Sequence, residues 1–504
     1  MKKLVTYFVL AICTVSCSSV AQNKKQPNVL FVIVDDWGFK DMSLHGSQVY
    51  QTPNVDNLAK DGVDFQNAYS SYPRCVPSRY GIMTGTYPVN EDHGNLGAVK
   101  DDKNFIKKFN NAGYNSFYVG KWHLGSEESS PKGYGFKESF AAGDAGGTET
   151  HFYPFNLKRV VGTKGEKAPI EDVQEYAKEG EFLSDVLTRR TIEYMKNDKS
   201  KPFIGVLAFY AVHTPIEAKP EDVERNKAEI AKMNFGPTEE YITEGNGQTH
   251  MWQNNPTYAG LVENTDENIG KLIKALKENG LYENTIIVLT SDHGGLSTRG
   301  KNNRIIPTSN APFRAGKGWI YEGGIKVPLM IHYPKEIKAK VETESIILGM
   351  DIFPTLTDYV LKEEVKGIDG KSFKNILNGS EKWNERTVYW NSYKARPTQT
   401  GDSKTSAIRV GDYKLLHFVE SDKTELYNVK EDIAEKNDLA TKMPEKSAEM
   451  LTLLNQWKAD KKVEMKANHK SGGEEISPKK QAKKDAKKEA KKAERKAARK
   501  AEKQ

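Results

Sequence analysis

Along the chain, continuous apolar runs alternate with amphipathic stretches. Asn28-Val-Leu-Phe-Val-Ile-Val34 is rich in β-branched side chains, and Asp35 and Asp36 follow at once. Pro202 to Ala211 repeats the pattern and delivers His213. Thr285 to Thr290 does so again ahead of Ser291-Asp292-His293-Gly294-Gly295, and the shorter run Asn115 to Val119 leads into Gly120-Lys121-Trp122-His123. Such runs predict strands buried on both faces, and the helical periodicity of Tyr258 to Glu278 predicts a covering helix between two of them. The expected fold class is α/β, a large, mainly parallel central sheet sandwiched by helices. From Arg386 the pattern changes: "TVYWNSY", "AIRVGDYKLLHF" and "TELYNV" read as short strands ahead of a helix from Pro444 to Lys458, a smaller unit.

In open α/β sheets, ligands gather beyond the carboxyl ends of the strands. Four strand ends here carry charged or imidazole groups to one rim. Any one of them alone would be an ordinary polar loop start; their joint occurrence marks a site.

With 504 residues the chain exceeds one small core, so a large domain plus an appendage is expected. The formal charge is +7, but Pro478 to Gln504 holds 13 cationic and 4 acidic side chains, a net +9 that leaves −2 for the rest. The body therefore gives no support for nucleic-acid binding. The Ala/Lys/Glu-rich tail has no apolar stripe and reads as solvated. At the other end, Lys2 and Lys3, the short apolar run Leu4 to Ile12 and Ser19-Val20-Ala21 read as an export signal over residues 1–21. No stretch approaches the ~20 apolar residues of a membrane helix. The expectation is an exported, periplasmic protein. Thr14-Val15-Ser16-Cys17 resembles a lipoprotein processing site with Thr14 off-pattern, which leaves lipid anchoring through Cys17 as an alternative.

That compartment draws attention to Cys75 in "YPRCVPSRYGIMTG", which has no obvious disulfide partner. The ordinary role of a lone cysteine is a buried structural thiol. Here Val76-Pro77-Ser78-Arg79 reads as a helix start with Pro77 in the first turn. Cys75 then sits at a helix N-terminus, which favours an anionic group, and the spacing of four puts Arg79 on the same face. A reactive nucleophile fits this setting better than an inert core cysteine.

Cys75-Val76-Pro77-Ser78-Arg79, followed by Gly81 and Thr84-Gly85-Thr86-Tyr87-Pro88, resembles the signature of type I sulfatases of the alkaline phosphatase superfamily, in which the cysteine of C-x-P-S-R becomes formylglycine. "NVLFVIVDDWG" (28–38), "TPNVDNLAKDGVDFQNAY" (52–69), "GKWHLG" (120–125), "HTP" (213–215), "YAGLVENTDENIG" (258–270), "SDHGG" (291–295) and "GKGWIYEGGIKVPL" (316–329) follow in the family's order. Together they are far more specific than C-x-P-S-R alone. The resemblance implies a catalytic domain at 27–385, a C-terminal subdomain of antiparallel sheet plus helix at 386–465, and a basic low-complexity tail at 466–504.

It also implies a mechanism. Hydrated formylglycine carries two hydroxyls on one carbon: one attacks sulfur, and the other expels sulfate by losing its proton, an exit that a plain Cys or Ser lacks. One divalent cation held by Asp35, Asp36, Asp292 and His293 together with residue 75 would acidify the attacking hydroxyl and neutralise sulfate. Three carboxylates suit calcium, favoured over magnesium, while His293 departs from the asparagine of many relatives. By the same resemblance Arg79 orients the modified residue, and Lys121 and His123 flank it, with His123 the candidate base. His213 and Lys317 contact sulfate and the leaving oxygen, either one serving as acid. Gly316 and Gly318 beside Lys317 suggest close backbone approach. Asn310 and Arg314 are candidate sugar contacts; Trp390, Tyr393, Lys394 and Arg396 fall where relatives build substrate contacts, though surface packing explains such residues more simply.

The expected activity is hydrolysis of sulfate esters on a sulfated polysaccharide or its oligosaccharides. Marine algal polymers such as ulvan, carrageenan or fucoidan are favoured and glycosaminoglycans also fit, with a formylglycine-generating maturation enzyme as partner. Two alternatives stand beside it: a phosphodiester or phosphonate monoester hydrolase of the same superfamily, and a non-catalytic carbohydrate-binding relative.

Overall fold

The computed structural model describes residues 26–90, 96–155, 170, 172–302 and 304–463. The export-signal reading (1–21), Cys17 and the basic tail (466–504) lie outside the described residues.

The first apolar run forms β1 (Asn28–Val34), buried along its whole length. Its alternating side chains feed two core layers. Leu30, Val32 and Val34 join one, and Val29, Phe31 and Ile33 the other, as the period-2 geometry of a strand requires. Around β1 lie β2 (Val63–Phe65), β3 (Asn115–Gly120), β4 (Glu138–Phe140), β5 (Phe203–Ala208), β6 (Thr285–Ser291), β7 (Leu329–His332) and β8 (Lys340–Glu342). They form an eight-stranded sheet in the order β8-β2-β7-β6-β1-β5-β3-β4. The four strands that lead to predicted site residues, β6, β1, β5 and β3, are parallel neighbours, and only β7 runs against its neighbours β6 and β2.

Register decides what this sheet can do. Val34 pairs with Ser291, Ile33 with Ala208, and Ala208 with Gly120, so these strands end level with one another. Whatever follows each run emerges at one rim. One prediction needs shortening: β5 stops at Ala208, not Ala211. The chain beyond it still exchanges backbone hydrogen bonds with the exit of β1, Asp35 N–H donating to Ala211 O (3.0 Å) and Val212 N–H to Asp35 O (2.8 Å).

Helices cover both faces. α1 (Cys75–Thr84) puts Ile82 and Met83 into the second layer. α2 (Leu183–Asn197) and α3 (Pro256–Glu278) cover the first through Leu183, Val186, Leu187, Leu261, Val262, Ile269 and Leu272. α3 starts two residues earlier than its periodicity suggests, because Pro256 suits a first turn and the Asn255 side chain accepts from Thr257 and Tyr258 N–H.

The C-terminal unit is an antiparallel meander, β9 (Thr387–Ser392), β10 (Thr405–Val410), β11 (Tyr413–Phe418) and β12 (Lys423–Asn428), followed by α4 (Pro444–Asp460). The run "AIRVGDYKLLHF" splits into β10 and β11 at Gly411-Asp412. Ile408, Leu415 and Leu426 pack under Met450, Leu454 and Trp457 of α4. The opposite face brings Val388, Trp390, Ala407 and Leu416 against Tyr69, Trp319, Tyr321 and Ile325. Trp390 is accordingly no substrate contact: it is fully buried and donates to Ser70 O at 2.8 Å. Among the described residues no helix is long and apolar enough to cross a membrane.

Candidate active site

β1 releases Asp35 and Asp36, and β6 releases Asp292 and His293, at the common rim; α1 points its first residue, Cys75, at them. Cys75 Sγ lies 3.2 Å from His293 Nε2, 3.5 Å from Lys317 Nζ and 3.9 Å from Asp36 Oδ1. Asp36 and His123 hold left-handed backbone angles, φ 59° and 57°. Residues other than glycine adopt these sparingly and at a cost, and such strain concentrates at functional sites.

The cations are placed by hydrogen bonds. Arg79, a turn into α1, donates through Nε to Asp292 Oδ2 (3.0 Å), through Nη1 to Lys121 O (2.7 Å) and through Nη2 to Asp35 Oδ1 (3.4 Å). Lys121 Nζ donates to Asp35 Oδ2. Lys317 Nζ donates to both oxygens of Asp36, at 2.6 and 2.9 Å. The glycine pattern around Lys317 has its expected cause. Gly318, at φ +100°, leaves no room for a Cβ beside Arg74, and its N–H donates to Pro73 O at 2.8 Å, which ties the Lys317 loop to the start of α1.

Protonation follows from this packing. Burial and Asp35 oppose a thiolate at Cys75, but Lys121, Lys317 and His293 outweigh them and bring the thiol down to about 6. Asp35 is held well below the usual carboxylate range despite burial, chiefly by Lys121, and Asp36 likewise, chiefly by Lys317. Burial and the charge of Asp35 push Asp292 up to about 7. His293 rises to about 9 against its burial because Asp292, Cys75 and Asp36 surround it. His123 falls to about 3 through burial, Lys121 and Arg79, and His213 drops well below its ordinary value through burial and Lys317. Both are therefore neutral imidazoles at neutral pH. His213 turns Nδ1 to Thr214 O (2.7 Å), leaving Nε2 for the site, while His123 Nδ1 is buried without a partner among the described residues.

The donor set fits a cation. Ligand atoms of Asp35, Cys75, Asp292 and His293 lie within 4.8 Å of one another, as do those of Asp35, Asp36, Cys75 and His213. Three converging carboxylates, one of them already pushed toward neutrality by its neighbour, call for positive charge between them.

Two predicted sugar contacts have partners within the protein. Asn310 is buried, and its Nδ2 donates to Gly295 O (3.0 Å), Ser297 Oγ (2.9 Å) and Ala315 O (3.2 Å), so it braces loops. Arg314 forks onto Glu244 (2.8 and 3.0 Å), donates to Tyr427 and Glu435, and lies over the Tyr321 ring at 3.9 Å. Its charge is spent on joining the C-terminal unit. Of the C-terminal candidates, Tyr393 packs on Tyr72 with ring centroids 5.1 Å apart, Lys394 is exposed, and Arg396 lies on the 394–402 loop. Two arginines near Cys75 escaped the sequence reading. Arg74 stands one residue before Cys75, and adjacency could have flagged it. Arg304 lies in "KNNRIIPTSN", which carries no periodic signal.

With this geometry in view, the comparisons with known proteins are specific. The Sulfatase family model matches residues 27–360, and the model described as N-sulphoglucosamine sulphohydrolase, C-terminal, matches 315–461. The chain belongs to the sulfatase family, the sulfuric ester hydrolases. It is 27% identical to a sulfatase of Formosa agariphila, covering 88% of this chain and 90% of the relative. It is 25% identical to the N-acetylglucosamine-6-O-sulfatase of Bacteroides thetaiotaomicron, covering 90% and 91%. Among solved structures, Ps i-CgsB in complex with k-i-k-neocarrahexaose is similar with a TM-score of 0.67 and 27% identity, covering 89% of this chain and 96% of that one.

Proposed function

We propose that this sulfatase depends on formylglycine at position 75 and releases inorganic sulfate from a sulfated polysaccharide or its oligosaccharides, marine algal polymers foremost. One observation carries the reading: Sγ of Cys75, at a helix N-terminus, sits between His293, Lys317 and Asp36 with Arg79 beneath. Sγ stands in for the oxygens of hydrated formylglycine. The neocarrahexaose complex of one neighbour and the N-acetylglucosamine-6-O-sulfatase name of a relative support a carbohydrate substrate. The amino-terminal segment supports export to the periplasm.

Calcium, held by Asp35, Asp36, Asp292 and His293, would supply charge that acidifies an oxygen on residue 75 and offsets sulfate. The chain's own groups divide the rest. Arg79 fixes Asp35 and Asp292 with a permanent charge and a rigid fork. Lys317, within 3.5 Å of position 75, meets a sulfate oxygen, and Lys121 locks Asp35 as the anion. His123, neutral and with a free ring nitrogen, accepts a proton from position 75. Lys317 and His213 are the proton donors at hand for the departing alcohol. His213 gains its proton as the negative sulfate enters beside it.

The test is protein co-produced with a formylglycine-generating enzyme, with peptide mass spectrometry at position 75 and sulfate release from a panel of sulfated oligosaccharides. Conversion accompanied by release is expected, and Cys75→Ala abolishes it. Full conversion with turnover of phosphate or phosphonate esters and none of sulfate esters would overturn the reading.

A further inference from the structure

A second cationic group lies beside the catalytic centre. The backbone straps two loops together: Gly300 N–H donates to Gln399 O and Asn302 N–H to Thr398 O, both at 3.1 Å. Residues 300–302 of the catalytic part thereby run alongside residues 398–399 of the C-terminal unit. Trp319 Nε1 donates to Thr400 O at 2.8 Å, and Arg74 Nη2 donates to Thr400 Oγ1 (3.0 Å) and to Asp402 (2.7 Å), fastening the pair to the residue before Cys75. Three guanidinium groups belong to this rim: Arg74, Arg304 and Arg396.

Their charges are not balanced. Asp402 pairs with Arg74, yet Arg74 Nε, in a residue only 6% exposed, is buried without a partner among the described residues. Arg304 makes no hydrogen bond or ion pair among the described residues although it is half-buried. Burial weakens its hold on its proton, while Asp36 and Cys75 act on it in the opposite sense, so the guanidinium stands within electrostatic reach of the catalytic centre. Partial burial and Arg74 likewise weaken the hold of Arg396 on its proton, with Cys75 and Asp402 acting in the opposite sense. The centre has no use for this surplus: its three carboxylates already face Arg79, Lys121 and Lys317, before a divalent cation is counted. Arg74 is buried, Arg304 half-buried and Arg396 exposed at the mouth of the site, so like charges gather where an incoming anion can reach them, and their planar forks match sulfate and carboxylate oxygens.

We propose that Arg304, with Arg74 and Arg396, forms a second anion subsite, so that the preferred substrate carries another sulfate or carboxylate on the scissile sugar or its neighbour. This rests on the sulfatase reading above and deepens it. Arg304 is the specificity-determining residue, since among the described residues it alone of the three has no hydrogen-bond or ion-pair partner to satisfy it.

The experiment uses matured full-length enzyme and matched disaccharides based on galactose, glucosamine and uronate. Each is offered with one sulfate ester, with a second sulfate, and with a carboxylate in place of the second sulfate. Wild type is expected to show kcat/KM at least about tenfold higher for a doubly anionic member of a pair, mainly through KM, and more so at low salt. Comparison of the sulfate and carboxylate arms identifies the anion. Arg304→Gln, whose folding is checked by melting temperature, is expected to bring that preference ratio close to one. Equal turnover of singly and doubly anionic members by wild type overturns the subsite while leaving the sulfatase reading intact. An equal loss on both members in the variant also overturns it, placing Arg304 on the scissile group. No release from any sulfate ester overturns the functional reading and this subsite with it.

Discussion

Arg79→Lys separates charge from geometry at the centre of the site. The substitution keeps the positive charge but replaces a fork of donors by a single ammonium. Arg79 spans Asp292 (3.0 Å), the Lys121 carbonyl (2.7 Å) and Asp35 (3.4 Å), and only 2% of it is exposed. A lysine on the same helical turn reaches one of these acceptors. Losing a charge-assisted bond to Asp292 costs about 1.5–3 kcal/mol and the carbonyl bond about 1 kcal/mol, so roughly 2.5–4 kcal/mol in all. At about 1.4 kcal/mol per decade this corresponds to a loss of roughly 10²–10³-fold in kcat/KM, provided that the released carboxylates no longer sit where the reaction needs them. The assay is sulfate release by matured enzyme, with the melting temperature recorded in parallel. The melting temperature should fall by several degrees and kcat should account for most of the loss, because Arg79 touches the supports of the nucleophile and not the sugar. A variant within about fivefold of wild type, with unaltered melting, would refute the claim that the fork, more than the charge, is what the site uses.

Chelation of matured enzyme should lower kcat by about two orders of magnitude or more, with calcium restoring it better than magnesium, because three carboxylates and one imidazole suit the looser calcium shell; activity indifferent to chelator would remove the cation from the scheme. Gly318→Ala should cost more than about 1 kcal/mol of stability, since its φ is +100° and the added methyl carbon would lie 2.8 Å from an Arg74 nitrogen. It should also lower activity through the adjacent Lys317, which paired melting and rate measurements check. Asp41 supplies a pH test that reads stability. Burial raises its folded-state value from 3.8 to about 6, against bonds from Thr308, Tyr258 and Gly38. A raised folded value means stability fully present below about pH 4 and lost as pH climbs through 6, some 3 kcal/mol in magnitude. Melting curves between pH 4 and 7 should show this decline in wild type and a flatter profile in Asp41→Asn.

What could be read from the sequence was what is local. A β-branched run followed at once by Asp35-Asp36 or Asp292-His293 states both the strand and its active end, and a parallel sheet does the rest by levelling the ends of β1, β5, β6 and β3. What could not be read was pairing over distance. Glu322, Lys414 and Glu435 form a fully buried ionic triad, with Lys414 Nζ 2.9 Å from each carboxylate. The three residues come from the Lys317 loop and from the C-terminal unit, and nothing in their local patterns couples them. The same blindness hid the partners of Arg314 and Asn310. Both stand close to Lys317 in the chain, and proximity suggested substrate, whereas the structure gives Arg314 a carboxylate 70 residues away and Asn310 three acceptors in neighbouring loops. Arg304, six positions before Asn310, carries no such signal and has no such partner. A long polar side chain declares its role by whether the fold satisfies it, and that ledger exists only in three dimensions. Where the fork meets carboxylate, hydroxyl and carbonyl acceptors of the protein, as in Arg314, the residue joins parts of the protein. Where a permanently charged fork is drawn toward the catalytic centre and left unmet, as in Arg304, its missing partner is an anion from outside the chain.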